Sequence, residues 1–223
     1  GWDVTVLSGS LGSGLGDARA FYSGLDVRPV DFDAGDAPLH PSYEDRTNAK
    51  DQCFAKLSTD VYREHVDAWA RALEDADAAS ADVLHLHPLT PLNEAAVRVA
   101  PDVPIVGHLH GTELLMLEKI AAGPSSSWIH ADVWARRMRR WAQSCERLIV
   151  LTESQVRRAV ALLDVDPRAC VVVPNGFDAE RFKPAPLDRA AFWRRHLVES
   201  PQGWAPGEPA GSISYDEEAV AVL

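Results

Sequence analysis

Pro104-Ile-Val-Gly-His-Leu-His-Gly-Thr-Glu-Leu114 is the stretch from which the fold is read. Ile105, Val106 and Leu109 have the apolar character of a short buried strand. Gly111 breaks that pattern, Thr112 can cap a helix, and Leu114, Leu115 and Leu117 open a helix-like run. Strand, tight turn and helix in that order make the βα unit of a parallel sheet. In open α/β sheets such turns lie at the carboxyl edge, where ligands bind. Two histidines, a glycine, a threonine and a carboxylate converge on this one.

Upstream, Ala81-Asp-Val-Leu-His-Leu-His-Pro88 reads as the preceding strand, stopped by Pro88, and Leu92 to Val99 as its helix. Apolar residues recur at three- and four-residue steps from Gln52 to Ala79, which predicts one long helix or two shorter ones. Asp3–Leu7 and Leu25–Phe32 read as strands, the latter at a sheet edge because Pro29 cannot donate to a ladder. Ser8 to Gly16 is glycine-rich, but its G-x-x-G-x-G-x-G spacing is neither the G-x-G-x-x-G fingerprint nor a Walker motif. Glycine and serine chemistry predicts a surface loop there. Ala34 to Asn48 reads as an irregular loop.

Downstream, Trp128 to about Ser144 predicts an amphipathic helix with Ile129, Val133, Trp134, Met138, Trp141 and Cys145 as its apolar stripe. Arg147–Leu151 is a strand. Thr152-Glu-Ser-Gln155 fits a capping box, with Val156, Ala159, Val160 and Leu163 behind it. Cys170–Val173 is the last strand, and Asn175-Gly176 suits a tight turn with positive φ. Asp188 can cap a helix through Leu197, and Ser200 to Ser214 has linker composition. The alternation predicts an α/β, doubly wound, mostly parallel Rossmann-like sheet.

The 223 residues carry a formal net charge of -11, with 46% hydrophobic and 25% charged residues. That is an ordinary globular composition. An acidic chain lacks the Lys/Arg surface that non-specific nucleic-acid binding needs, so no nucleic-acid partner is expected. Three dispersed cysteines without a Cys-x-x-Cys spacing indicate thiols in a reducing, cytoplasmic setting. No apolar run approaches the roughly 20 residues of a membrane span. Arg136, Arg137, Arg139 and Arg140 form a basic cluster on the Trp-rich helix, either a solvated face or a contact to an anionic acceptor or a peripheral membrane surface.

Four of the eight histidines form two His-x-His pairs, His85/His87 and His108/His110, each ending a strand. Residues i and i+2 of a strand share a face. Three readings stay open: a metal site, of the kind metal-dependent hydrolases on (β/α)8 barrels use; core histidines that are merely hydrogen-bonded; or ligand binding without metal, above all by His110. Around His110-Gly-Thr-Glu113, backbone N–H groups at a helix start favour anions, and imidazole can donate to a sugar hydroxyl or phosphate oxygen. Glu113 and Thr152 are substrate-binding candidates at their two helix starts, or otherwise simply stabilise those helices.

Asp82-Val-Leu-His-Leu-His87, Pro104-Ile-Val-Gly-His-Leu-His-Gly111, Leu148-Ile-Val-Leu-Thr-Glu-Ser154 and Val171-Val-Val-Pro-Asn-Gly-Phe-Asp178 with Arg181-Phe-Lys-Pro184 follow one another in this order. The combination resembles the N-terminal domain of family 4 retaining glycosyltransferases of GT-B architecture, over roughly residues 1–187. The resemblance implies an acceptor-side Rossmann-like domain over 1–199. It also implies a linker over 200–223 towards the chain's own C-terminal donor-binding domain, without which the piece is inactive. A UDP- or GDP-sugar would be the co-substrate, a sugar or glycolipid the acceptor, and no cofactor or metal is called for. By position, His110 takes the catalytic role facing donor sugar and acceptor, with Gly111 and Thr112 lining the cleft. His87, Asn175 and Gly176 match substrate-side positions. The family's first strand and glycine-rich loop are expected before Gly1, so Gly12, Gly14 and Gly16 do not inherit a phosphate role.

Overall fold

The computed structural model describes residues 1–10, 24–31, 42–43, 52–176, 178–183, 186–203, 209 and 211–220. Most of the glycine-rich stretch and of the Ala34–Asn48 loop lies outside the described residues. Contacts divide the chain into two units, one ending at Asn175 and one that includes everything from Gly176. The helix capped by Asp188 lies in the second unit.

The first unit is α/β. Its strands are β1 (Thr5–Ser10), β2 (Asp26–Asp31), β3 (Leu84–Leu86), β4 (Ile105–His108), β5 (Arg147–Val150) and β6 (Cys170–Val172). β1 pairs with β2, and β3-β4-β5-β6 form a second sheet in chain order; every pair is parallel. Parallel neighbours need crossovers, and helices supply them: α2 (Pro91–Val99) between β3 and β4, α3 (Thr112–Ala122) and α4 (Ala131–Gln143) between β4 and β5, and α5 (Glu153–Leu163) between β5 and β6. This is the Rossmann-like α/β sheet that the alternation predicts, and it fits the GT-B half that the resemblance implies. Among the described residues the four-stranded sheet is open, with β3 and β6 at its two edges.

The long helical pattern resolves into α1 (Thr59–Asp75) flanked by short 3-10 turns at Phe54–Lys56 and Ala78–Ser80. Ser58 caps α1 by accepting from Val61 N at 3.3 Å. From β2, Arg28 Nη1 donates to Asp75 O at the end of α1 (2.8 Å). The core is aromatic on the α4 side, where Phe54 stacks on Trp134 with centroids 4.3 Å apart. Trp134, Met138, Trp141 and Cys145 are buried as predicted, but Ile129 is 73% exposed because α4 begins only at Ala131. Burial pushes the Cys145 thiol up to about 12.

Gly107 explains how β4 sits so close to its neighbours. A Cβ there would lie 2.9 Å from Cys145 Sγ and 2.9 Å from a Leu148 methyl. The arginine cluster does not form one continuous basic face. Arg137 lies over the Tyr62 ring at 3.4 Å, while Arg139 Nε donates to Leu162 O (2.9 Å). Among the described residues no helix is long and apolar enough to cross a membrane.

The second unit contains α6 (Arg189–Trp193), capped by Asp188 Oδ1 accepting from Ala191 N (3.0 Å), and a π-helical turn at Arg194–Glu199. A short α7 (Glu217–Val220) is tied back by an Arg194–Glu217 ion pair.

Candidate functional site

The four strand-end histidines form one cluster. β3 and β4 run side by side with Leu86 opposite Gly107. Side chains alternate along a strand, so Leu86 enters the core while His85 and His87 share the other face. Leu109 is likewise buried between His108 and His110. Ring centroids lie 4.3 Å apart for His85–His87, 4.4 Å for His87–His108, 4.8 Å for His108–His110 and 5.2 Å for His87–His110. His87 Nδ1 and His110 Nε2 share a hydrogen bond of 3.0 Å. Both ring nitrogens of His108 are buried and have no hydrogen-bond partner.

Burial and crowding favour the neutral form of three of these rings, His85, His87 and His108. Burial first, then the neighbouring imidazoles, push His87 down to about 4. Burial and the His110 ring also hold His85 and His108 below the usual histidine range. These three rings thus resist protonation at the carboxyl ends of two adjacent strands.

The turn after β4 is built from beneath. Gly111 caps α3 with φ +101°, a left-handed conformation that suits glycine. Glu113 is fully buried, and its carboxylate accepts from His110 N (3.1 Å) and Gly111 N (2.8 Å). Desolvation pushes its carboxyl up, and those N–H groups oppose the shift. The sequence places Glu113 among the substrate-binding candidates; in the structure its oxygens face the backbone of the turn. Gly111 N at the N-cap of α3, and His110 N just before it, thus already have Glu113 as their acceptor. His110 and Thr112 remain exposed above the turn.

Gln155 joins this turn to the one after β5. Its Nε2 lies 2.9 Å from where a Gly111 Cβ would sit, and its Oε1 accepts from Leu151 N at 2.7 Å. Gln155 N donates to Thr152 Oγ1 (3.3 Å), so Thr152 caps α5 as predicted. The reciprocal half of the capping box reaches one residue further back, to Leu151. A fuller reciprocal cap occurs at α2, where Thr90 N donates to Asn93 Oδ1 at 2.9 Å. The Thr-Pro-Leu-Asn spacing carries that signal.

Asn175 and Gly176 are exposed after β6, and neither has a positive φ. The turn expected there is therefore made without the left-handed conformation. Asn175 ends the first unit and Gly176 opens the second. The residues brought together are His87, His110, Gly111, Thr112 and Glu113, with Thr152 one step away through Gln155. His85 and His108 complete the group from the side.

The family model of Glycosyltransferase Family 4 matches residues 1–181. The chain belongs to glycosyltransferase family 4. That membership accounts for the Rossmann-like sheet and for the order of the strand-end motifs. A search of the curated proteins finds no match. Within this family-4 domain, sequence reasoning underrates Gln155, whose side chain links two ligand-edge turns. Its only sequence signal is the third position of a cap.

Proposed function

We propose that this domain forms the acceptor side of a retaining, hexosyltransferase-type glycosyltransferase that uses a UDP- or GDP-sugar. The acceptor is a sugar or glycolipid, and the enzyme works in the cytoplasm. The donor nucleotide is held by a partner Rossmann-like domain of the same polypeptide, so residues 1–223 alone transfer nothing. The observation that carries this reading is His110: an exposed imidazole at the carboxyl end of β4, held through its ring by His87 and through its backbone by Glu113.

In the reaction a nucleoside diphosphate leaves the donor sugar and the acceptor oxygen takes its place on the same face. Positioning, together with stabilisation of the departing negative charge, carries most of such a step. His110 contacts the reacting sugar or the acceptor hydroxyl. Gly111 and Thr112 line the approach, and His87 fixes the His110 ring. No step of this reading uses a metal. The test is a donor screen with the full-length polypeptide, comparing wild type with His110→Ala. Loss of transfer with a preserved fold supports the assignment. Undiminished transfer by the variant removes His110 from the mechanism.

A further inference from the structure

We propose that the histidine cluster at the ends of β3 and β4 is a binding site for one divalent late transition metal of the zinc class, held by His85, His87 and His108. One ligating nitrogen from each ring lies within 4.8 Å of the others. Tetrahedral zinc with nitrogen ligands at 2.0–2.1 Å spaces them by about 3.4 Å. The rings therefore need only swing inward, and two of the three are exposed at a strand end where they can do so.

His108 makes the strongest case. Burying imidazole nitrogens without a partner is costly, and both of its nitrogens are in that state. Coordination would satisfy one of them. His87 uses Nδ1 towards His110, which leaves Nε2 for the metal. With Nε2 on a cation, Nδ1 carries the proton and donates to His110 Nε2. This is the outer hydrogen bond that metal-bound histidines use to fix ring orientation. His110 is then protonated on Nδ1 alone, so occupancy of the site sets the tautomer of the residue that faces substrate.

The donor set also selects the ion. All three ligands are neutral nitrogens, and the nearest acidic side chain of the turn, Glu113, is committed to backbone N–H groups. Imidazole sets suit Zn²⁺, Co²⁺, Ni²⁺ and Cu²⁺; Mg²⁺ and Ca²⁺ require oxygen. Three protein ligands leave a fourth position for water. This inference does not depend on the glycosyl-transfer reading, because binding is measured without turnover.

The experiment uses the untagged full chain, stripped with chelator and titrated with Zn²⁺, Co²⁺ and Mg²⁺. The expected result is one Zn²⁺ or Co²⁺ per chain, a tetrahedral Co²⁺ visible spectrum and no Mg²⁺ uptake. His85→Ala, which alters an exposed ring, should abolish binding while circular dichroism stays unchanged. His110→Ala should weaken it by about 10–100-fold, as loss of an outer partner does. Nitrogen NMR of wild-type imidazoles should show Zn²⁺ on His87 and His108, a readout that needs no variant to fold. Unchanged Zn²⁺ affinity in His85→Ala, or NMR shifts confined to other histidines, would overturn the proposal.

Discussion

His87 Nδ1 and His110 Nε2 lie 3.0 Å apart, joining the ends of two neighbouring parallel strands. One ring donates and the other accepts, so the orientation of His110 depends on a residue 23 positions earlier. A hydrogen bond of this kind contributes about 0.5–1.5 kcal/mol. His87→Ala should therefore lower kcat/KM for glycosyl transfer by roughly 2- to 12-fold, with Tm nearly unchanged. His87→Gln, which can still donate to His110, should recover part of the loss. Steady-state kinetics on the full-length polypeptide decide the point; equal rates for His87→Ala and wild type would separate His110 orientation from turnover.

Glu113 supports the same turn from the interior. Replacing it with Ala leaves the N–H groups of His110 and Gly111 buried without an acceptor, at about 1–3 kcal/mol each. Glu113→Ala should lose about 2–6 kcal/mol in urea denaturation. Glu113→Gln keeps one carbonyl oxygen and should lose about half as much. A surface carboxylate that merely stabilised the helix start would contribute under about 1 kcal/mol, so the size of the loss discriminates the two roles.

The parts of this site that are legible in the sequence are those written in local pattern. Ile105, Val106 and Leu109 announce β4, Gly111 announces the turn, and Thr152 announces the cap of α5. Side-chain direction is not legible. Spacing places Glu113 in the first turn of α3 but cannot say that it folds back onto the preceding backbone. The His87–His110 contact depends on strand register, which becomes known only when β3 and β4 pair. Gly107 has no local signature, because its reason is the approach of Cys145 and Leu148 from elsewhere in the chain. Ile129 falls in the predicted apolar stripe because the period of α4 extends in sequence past the helix's true start at Ala131.

Two glycines should respond differently to a methyl group. Gly107→Ala places a Cβ 2.9 Å from Cys145 Sγ and Leu148, overpacking a closed interior. A loss of about 1–3 kcal/mol is expected. Gly111→Ala meets only the end of the Gln155 side chain at 2.9 Å, but at φ +101°. Its strain of roughly 1–2 kcal/mol falls on the turn that carries His110. Gly111→Ala should therefore reduce transfer more than its loss of stability accounts for. Thermal melts and kinetics run on the same preparations test this contrast.

Arg137 and Arg136 differ by one position and should separate in a stability assay. Arg137 sits over the Tyr62 ring, and the Tyr62 hydroxyl donates to Glu94, so the cation belongs to a packed α1–α2–α4 contact. Arg137→Gln should cost about 0.5–2 kcal/mol. Arg136 is exposed, and its replacement by Gln should change stability by no more than about 0.5 kcal/mol. Chemical denaturation of the two variants measures the difference.

The neutral histidine patch makes stability depend on pH in a definite direction. Burial and the neighbouring rings hold His87 down at about 4, and hold His85 and His108 below the usual histidine range. In the unfolded chain all three titrate near 6.5. A lowered histidine pKa means the unfolded state binds protons first. The contribution of these groups is thus full above about pH 6.5 and declines as pH falls through the window from about 6.5 to 4. Urea midpoints should drop across that window in wild type. His87→Gln removes the most displaced of the three groups and should flatten the slope there. An unchanged slope in that variant would place the acid sensitivity elsewhere in the chain.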